Sequence, residues 1–281
     1  MSVVKRKRNF CEMNPFFYKI SFYKEVTKRN LKDFLSKEKF AKMKDKRKLS
    51  NIVSEHSSNM IRKGKGIDPI LQENKAVNLK LASKNINGII IKPGEVFSFW
   101  KLVGRATKKK GYKDGRIISK GKLKPGIGGG LCNLGNTINW LVLHSPLEIV
   151  ELHTHSDALD PSAEKNRIPF SSGTSVSYNY IDYRFKNNSD QNIQLFVWCE
   201  DGKLKAELRS ETEFPWKYEL VEENHHFRKK GDKYYRSSKI YRNAIEKTTE
   251  NILSKELIWD NNSMVMYDYD LIPKELIKEE K

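Results

Sequence analysis

The run Pro125-Gly126-Ile127-Gly128-Gly129-Gly130-Leu131-Cys132-Asn133 is the stretch of this sequence best suited to chemistry. Glycine tolerates positive φ and lets backbone come close to a ligand. Leu134, Ile138, Leu141 and Val142 then recur at helical spacing, which predicts a helix that starts at Cys132. A helix N-terminus carries free N–H donors and a partial positive charge. A thiol placed there is expected to ionise more readily and to act as a nucleophile near neutral pH. The backbone from Gly129 to Cys132, with the Asn133 amide, would receive an oxyanion. His153 and His155 stand at the end of a predicted strand, and Asp182 on the next. This is the layout of papain-like and transglutaminase-like cysteine enzymes, with Cys132 as nucleophile, His155 as base and Asp182 orienting the ring.

Other readings of the same residues stay open. A Gly-rich turn before a helix suits a phosphate, although no Lys-Ser/Thr follows as in a Walker A loop. His153-Thr154-His155 puts two imidazoles on one strand face, with Cys132 as a third ligand; so sparse a set leads us to expect no metal and no cofactor. A non-catalytic module would use Gly128, Gly129, Gly130, Asn133 and His153 beside Phe97, Phe99, Trp100, Trp140 and Tyr180. Its pocket would take a peptide, a muropeptide or an anionic ligand. The aromatic residues and Cys132 equally suit a core, and His144 suits a helix cap.

The elements that must position these groups predict an α+β fold. Residues 1–65 read as a basic, mostly helical leader, with Phe22, Val26, Leu31, Phe34, Leu35 and Phe40 as its apolar positions. Residues 66–210 read as the core domain, with a mixed or antiparallel sheet. It has a helix over Glu73–Asn87 striped by Val77, Leu79, Leu81, Ala82 and Ile86, then a strand at Ile89–Ile91 and a turn at Lys92–Glu95. Val96–Trp100 continues as a strand, and Gly111 to Lys124 as a hairpin turning at Lys120-Gly121. Strands follow at Leu147–His153 and Thr174–Phe185, separated by a polar loop through Asp160-Pro161. A hairpin turns about Asp201-Gly202. Residues 211–281 read as a β-rich extension with strands at 216–221, 233–241 and 252–259 and a frayed tail from Lys274.

Charge is uneven: residues 1–50 hold 16 Lys and Arg against 5 Asp and Glu, in a chain of net charge +18. Such a leader suits an anionic partner, either nucleic acid or an anionic membrane surface, or a merely solvated helix face. No apolar h-region follows Lys5-Arg6-Lys7-Arg8, and the three cysteines (Cys11, Cys132, Cys199) are too few and too scattered for a disulfide framework. A cytoplasmic location is expected.

Gln72-Glu73-Asn74-Lys75, Asn78-Leu79-Lys80-Leu81-Ala82 and Ile91-Lys92-Pro93-Gly94-Glu95-Val96-Phe97-Ser98-Phe99-Trp100 together resemble the VanW family. Tyr112-Lys113-Asp114-Gly115, Gly128-Gly129-Gly130-Leu131-Cys132, His144-Ser145-Pro146-Leu147, His155 and Ile181-Asp182 extend the resemblance over roughly residues 67–200. It implies a link to glycopeptide resistance and to cell-wall peptidoglycan, with a cell-wall peptide or precursor as partner. Where the family usually has Gln after the cysteine, this chain has Asn133. Where it tends to have Asp before the Ile-Asp pair, this chain has Gly173. A mechanism that needs that carboxylate would have to draw on Asp182 or Asp160. The resemblance favours His155 over His153 as base.

Overall fold

Asn14 and Pro15 open the first helix by ordinary capping. The Asn14 side chain accepts from the N–H groups of Phe16 and Phe17 at 2.9 and 3.0 Å, and Pro15 occupies a position where no N–H is required. The computed structural model describes residues 14–62, 67–119, 122–154, 157–158, 173–178 and 181–278. Helix α1 spans Pro15–Leu35. The expected leader is helical only there: Asn51–Asn59 is a strand, β1. The expected apolar stripe holds α1 only in part: Phe22 stacks on Tyr178 and Val26 is half-buried, but Leu31, Phe34 and Leu35 are exposed, and Asp33 is the residue the helix buries among those described. Asp33 takes the Arg184 guanidinium in two bonds, at 2.7 and 2.9 Å, and the Lys101 ammonium at 2.8 Å.

Helix α2, Pro69–Ile86, starts on Asp68, whose carboxylate accepts from Ile70 and Leu71. Its buried face is Gln72, Lys75, Asn78, Leu79, Ala82, Ser83 and Ile86, so the expected apolar stripe is rotated toward polar positions. Strand β2 (Ile89–Ile91) follows, then a turn in which Gly94 takes φ +77°, then β3 (Val96–Ser98). The strand expected through Trp100 stops at Ser98, because its hydroxyl accepts from the Lys101 N–H and caps a short helix, α3 (Phe99–Val103). β4 (Asp114–Ser119) and β5 (Lys122–Ile127) form the expected hairpin; its predicted turn residues lie outside the described residues. Helix α4 spans Leu131–Leu143, with Gly130 as its N-cap.

Beyond it come β6 (Glu148–Glu151), β7 (Asp157–Ala158), β8 (Arg184–Lys186), β9 (Ile193–Glu200) and β10 (Lys203–Ser210). Of the strand expected over 174–185, only β8 is regular among the described residues, preceded by isolated bridges at Thr174, Ser177 and Ile181. The Asp160-Pro161 loop lies outside the described residues. The last strands are β11 (Trp216–Lys230), β12 (Lys233–Glu246), β13 (Ile252–Val265) and β14 (Ile277–Lys278). Within the expected frayed tail, β14 pairs parallel with β11 at Phe227.

The main sheet has the order β1-β10-β9-β2 and is antiparallel throughout. Helices α2 and α4 cover it, and Leu79, Ile86, Leu134, Ile138, Leu195 and Leu208 are fully buried between the layers. Each such side chain contributes about 1.5–3 kcal/mol of transfer free energy. A smaller sheet, β3-β8-β6, carries Asp182 just ahead of its middle strand. The long C-terminal strands form the sheet β14-β11-β12-β13-β7. The β13–β7 pairing, and Arg242 donating to the Ser145 and Leu147 carbonyls, join that sheet to the core. The fold is α+β. Among the described residues no helix is long and apolar enough to cross a membrane.

Candidate functional site

Two close backbone approaches set the shape of the Gly-rich turn. Gly129 lies against Gly115 on β4, where a Cβ at position 129 would come within 2.1 Å of the Gly115 carbonyl carbon. Gly130 takes φ +94°, and a Cβ there would meet the Lys75 stem at 2.2 Å. Only glycine fits both places. The buried Asn78 then locks the turn to α2. Its amide donates to the carbonyls of Gly129 (2.9 Å) and Lys113 (3.0 Å), while its oxygen accepts from the Lys113 N–H (2.8 Å). Gly128 and Gly129 spend their own N–H groups on Lys113 and Gly126. The oxyanion hole expected from Gly129 onward therefore loses Gly129 as a donor.

Cys132 sits in the first turn of α4, as expected, but not as an activated thiol. It packs inward, with Sγ donating to the Val176 carbonyl at 3.9 Å. Burial pushes the thiol up, and backbone groups at Val176 and Cys132 offset only part of that. This direction is opposite to the expected lowering, because desolvation of the half-buried cysteine outweighs those backbone bonds. Asp182 is likewise occupied. It is 2% exposed and accepts from the Trp100 and Tyr183 N–H groups at 3.1 and 2.9 Å, the Ser98 hydroxyl at 2.5 Å and the Arg184 Nε at 2.7 Å. All its acceptor directions serve the fold, so it is not the free orienter the sequence suggested.

His153 is exposed and bonded to Glu151 at 3.1 Å. His155 and Tyr180 lie outside the described residues. Among the described residues no three His, Cys, Asp or Glu side chains converge as a metal set. Trp100 is part of the core, with its indole N–H on the Ile181 carbonyl at 3.0 Å, and Phe97 and Phe99 are fully buried. His144 donates its Nδ1–H to the Trp140 carbonyl at 2.8 Å, the cap the sequence allowed. Gly173 takes φ +58° against the Asn136 amide, which gives its glycine a local backbone reason.

Three residues that sequence reasoning passed over are prominent here: Lys75, Asn78 and Arg116. Lys75 is 8% exposed on the inner face of α2, and burial, then the charges of Arg62 and Arg116, bring it down to about 8. Arg116 is lowered by burial and then by Arg62. The signal was present in part, since Leu71, Lys75, Asn78, Leu79 and Ala82 fall on one helical stripe. The Asn133 Nδ2 is buried without an acceptor among the described residues, one turn along α4 from Gly130.

The same segments carry the likeness to known proteins. A family model described as "VanW like protein" matches residues 74–209, from α2 through β10. The "Vancomycin B-type resistance protein VanW" of Enterococcus faecalis is 34% identical over 202 residues, covering 72% of this chain and 73% of that protein. The "Uncharacterized protein YoaR" of Bacillus subtilis is 34% identical over 138 residues, covering 49% of this chain and 44% of that protein. No solved structure matches the chain. With α2, the glycine turn and α4 all inside the matched span, and with one relative aligned over most of both chains, this chain belongs to the VanW family.

Proposed function

We propose that this chain acts in vancomycin resistance as a non-catalytic binding protein, holding a cell-wall peptide or precursor at the Gly128–Gly130 turn. The link to resistance comes from its relative in Enterococcus faecalis, whose name states it. The observation that carries the binding reading is the state of Cys132: its sulfur is turned onto the Val176 carbonyl and pushed up by burial. A nucleophile needs the opposite environment. The turn, by contrast, is clamped by Asn78 and leaves Gly128 and Gly130 part-exposed.

Titration calorimetry with a synthetic muramyl pentapeptide tests this. Cys132→Ser is expected to bind within about twofold of the wild type, because a hydroxyl replaces the thiol without altering the turn. Gly130→Ala is expected to bind at least about tenfold more weakly, since its Cβ displaces Lys75. Cleavage of the peptide by the wild type, abolished in Cys132→Ser, would overturn the reading in favour of a cysteine hydrolase.

A further inference from the structure

Lys75 and Arg116 bring two donors to the neighbourhood of the glycine turn that opens α4. Lys75 crosses Gly130, the N-cap of a 13-residue helix, with its Cβ–Cδ stem. Arg116 directly follows Gly115, the residue packed on Gly129. Neither Lys75 nor Arg116 has an ion-pair or hydrogen-bond partner among the described residues. Arg62 adds a third positive charge, its backbone held to α2 by the Gln72 side chain at 3.1 Å. The α4 N-terminus is electropositive in its own right, and the unpaired Asn133 Nδ2 adds a buried donor nearby.

Buried cations are normally paired, because an unpaired one is costly. Here Lys75 is nine-tenths buried as a residue, its ammonium has no partner among the described residues, and Arg62 and Arg116 are the charges that lower it. A protein gains nothing in stability from such an arrangement, so its use lies in what it attracts. We propose that Lys75, Arg116 and the first turn of α4 form a binding site for a doubly charged, phosphate-class oxyanion. Two uncompensated cations and a helix N-terminus match two negative charges, whereas a lone carboxylate would leave charge unbalanced. The phosphate is either free in solution or carried by a ligand on the glycine turn; the second source rests on the binding reading given above.

The test uses the full chain and three probes at constant ionic strength, balanced with chloride: inorganic phosphate, acetate, and muramyl pentapeptide with or without a phosphate on its sugar. Thermal stability and calorimetry are read at pH 7. Phosphate is expected to raise the midpoint of unfolding, and acetate is not. Lys75→Met keeps the stem over Gly130 and removes the charge; it should weaken phosphate binding at least about tenfold. Arg116→Gln, on a different element, should weaken it several-fold. Binding should also weaken from pH 7 to pH 9 as Lys75 loses its proton.

A phosphate effect no larger than that of chloride, or one unchanged in both variants, overturns the site. Tight binding of the unphosphorylated peptide in that case would leave the binding reading standing without this anion site. A Lys75-dependent phosphate effect with no binding of either peptide supports the site for free anion and removes the peptide. Preference for the phosphorylated peptide supports both.

Discussion

Asn78 and Gly129 are joined by a buried hydrogen bond of 2.9 Å, from the side-chain amide on α2 to the carbonyl in the middle of the glycine turn. The same side chain exchanges two more bonds with the Lys113 backbone, so one residue fixes helix, hairpin base and turn together. Asn78→Ala strips the Gly129 carbonyl and the Lys113 N–H of their Asn78 partner, while the Lys113 carbonyl keeps the Gly128 N–H. It is expected to cost about 2–4 kcal/mol by urea denaturation, because unsatisfied buried groups forfeit their full desolvation. Asn78→Asp should be nearly as severe, since it keeps the shape but replaces two donations with repulsion. A loss under about 0.5 kcal/mol for Asn78→Ala would mean that the clamp is not what holds the turn.

Gly129→Ala tests the backbone contact on the other side. The new methyl meets Gly115 backbone atoms at 2.1–2.6 Å, which no side-chain rotation relieves. Overpacking of this kind costs roughly 1–3 kcal/mol and more where backbone must move. Gly202→Ala, with nothing near its Cβ, isolates the cost of positive φ (+72°) alone and is expected to be milder. Differential scanning calorimetry of the two variants checks the order.

Lys75 predicts a rise of stability with pH. Its folded-state value, about 8, is below the ordinary 10.5, so between those values the unfolded chain binds more protons and stability climbs as pH rises. The penalty is complete near pH 7 and absent above about pH 11, and its size is on the order of 3 kcal/mol. Lys75→Met should therefore stabilise the protein at pH 7 in phosphate-free buffer, with the advantage vanishing at pH 11. Equal advantages at both pH values would contradict an unpaired buried ammonium.

Asp33 predicts the acid side. Burial raises its carboxyl, but hydrogen bonds and charge from Arg184 and Lys101 outweigh this and hold it below the ordinary 3.8. Its contribution is thus present above pH 3.8 and lost as pH falls through the lowered value. Asp33→Ala removes the bidentate partner of Arg184 and should cost about 3 kcal/mol at pH 7, since a buried guanidinium is left half-paired. Limited proteolysis is expected to release α1 first in that variant. Cleavage at the wild-type rate would show that α1 is held elsewhere.

Cys132 should alkylate no faster than Cys199 with iodoacetamide at pH 7, because burial pushes both thiols up. Mass mapping of the two sites over time gives the comparison. Preferential labelling of Cys132 in the folded protein would restore the case for an activated nucleophile.

Local chemistry was legible from the chain itself. The glycine run announced α4, which begins at Leu131, one residue ahead of the expected start, whereas α2 begins at Pro69 on the Asp68 cap, four residues ahead of the expected Glu73. Asp201-Gly202 turns β9 into β10 with φ of +49° and +72°, because helix caps and tight turns depend on a few adjacent residues. The α+β class followed from those elements. What each side chain faces did not follow. β1 was hidden in a basic segment because its partner, β10, lies far along the sequence, and sheet pairing has no local signature. Asp182 looked free until Ser98, Trp100 and Arg184 were brought to it, and Cys132 looked primed until Val176 closed over it. Charge and reactivity are set by neighbours in space and by the loss of water, and only the tertiary fold decides both.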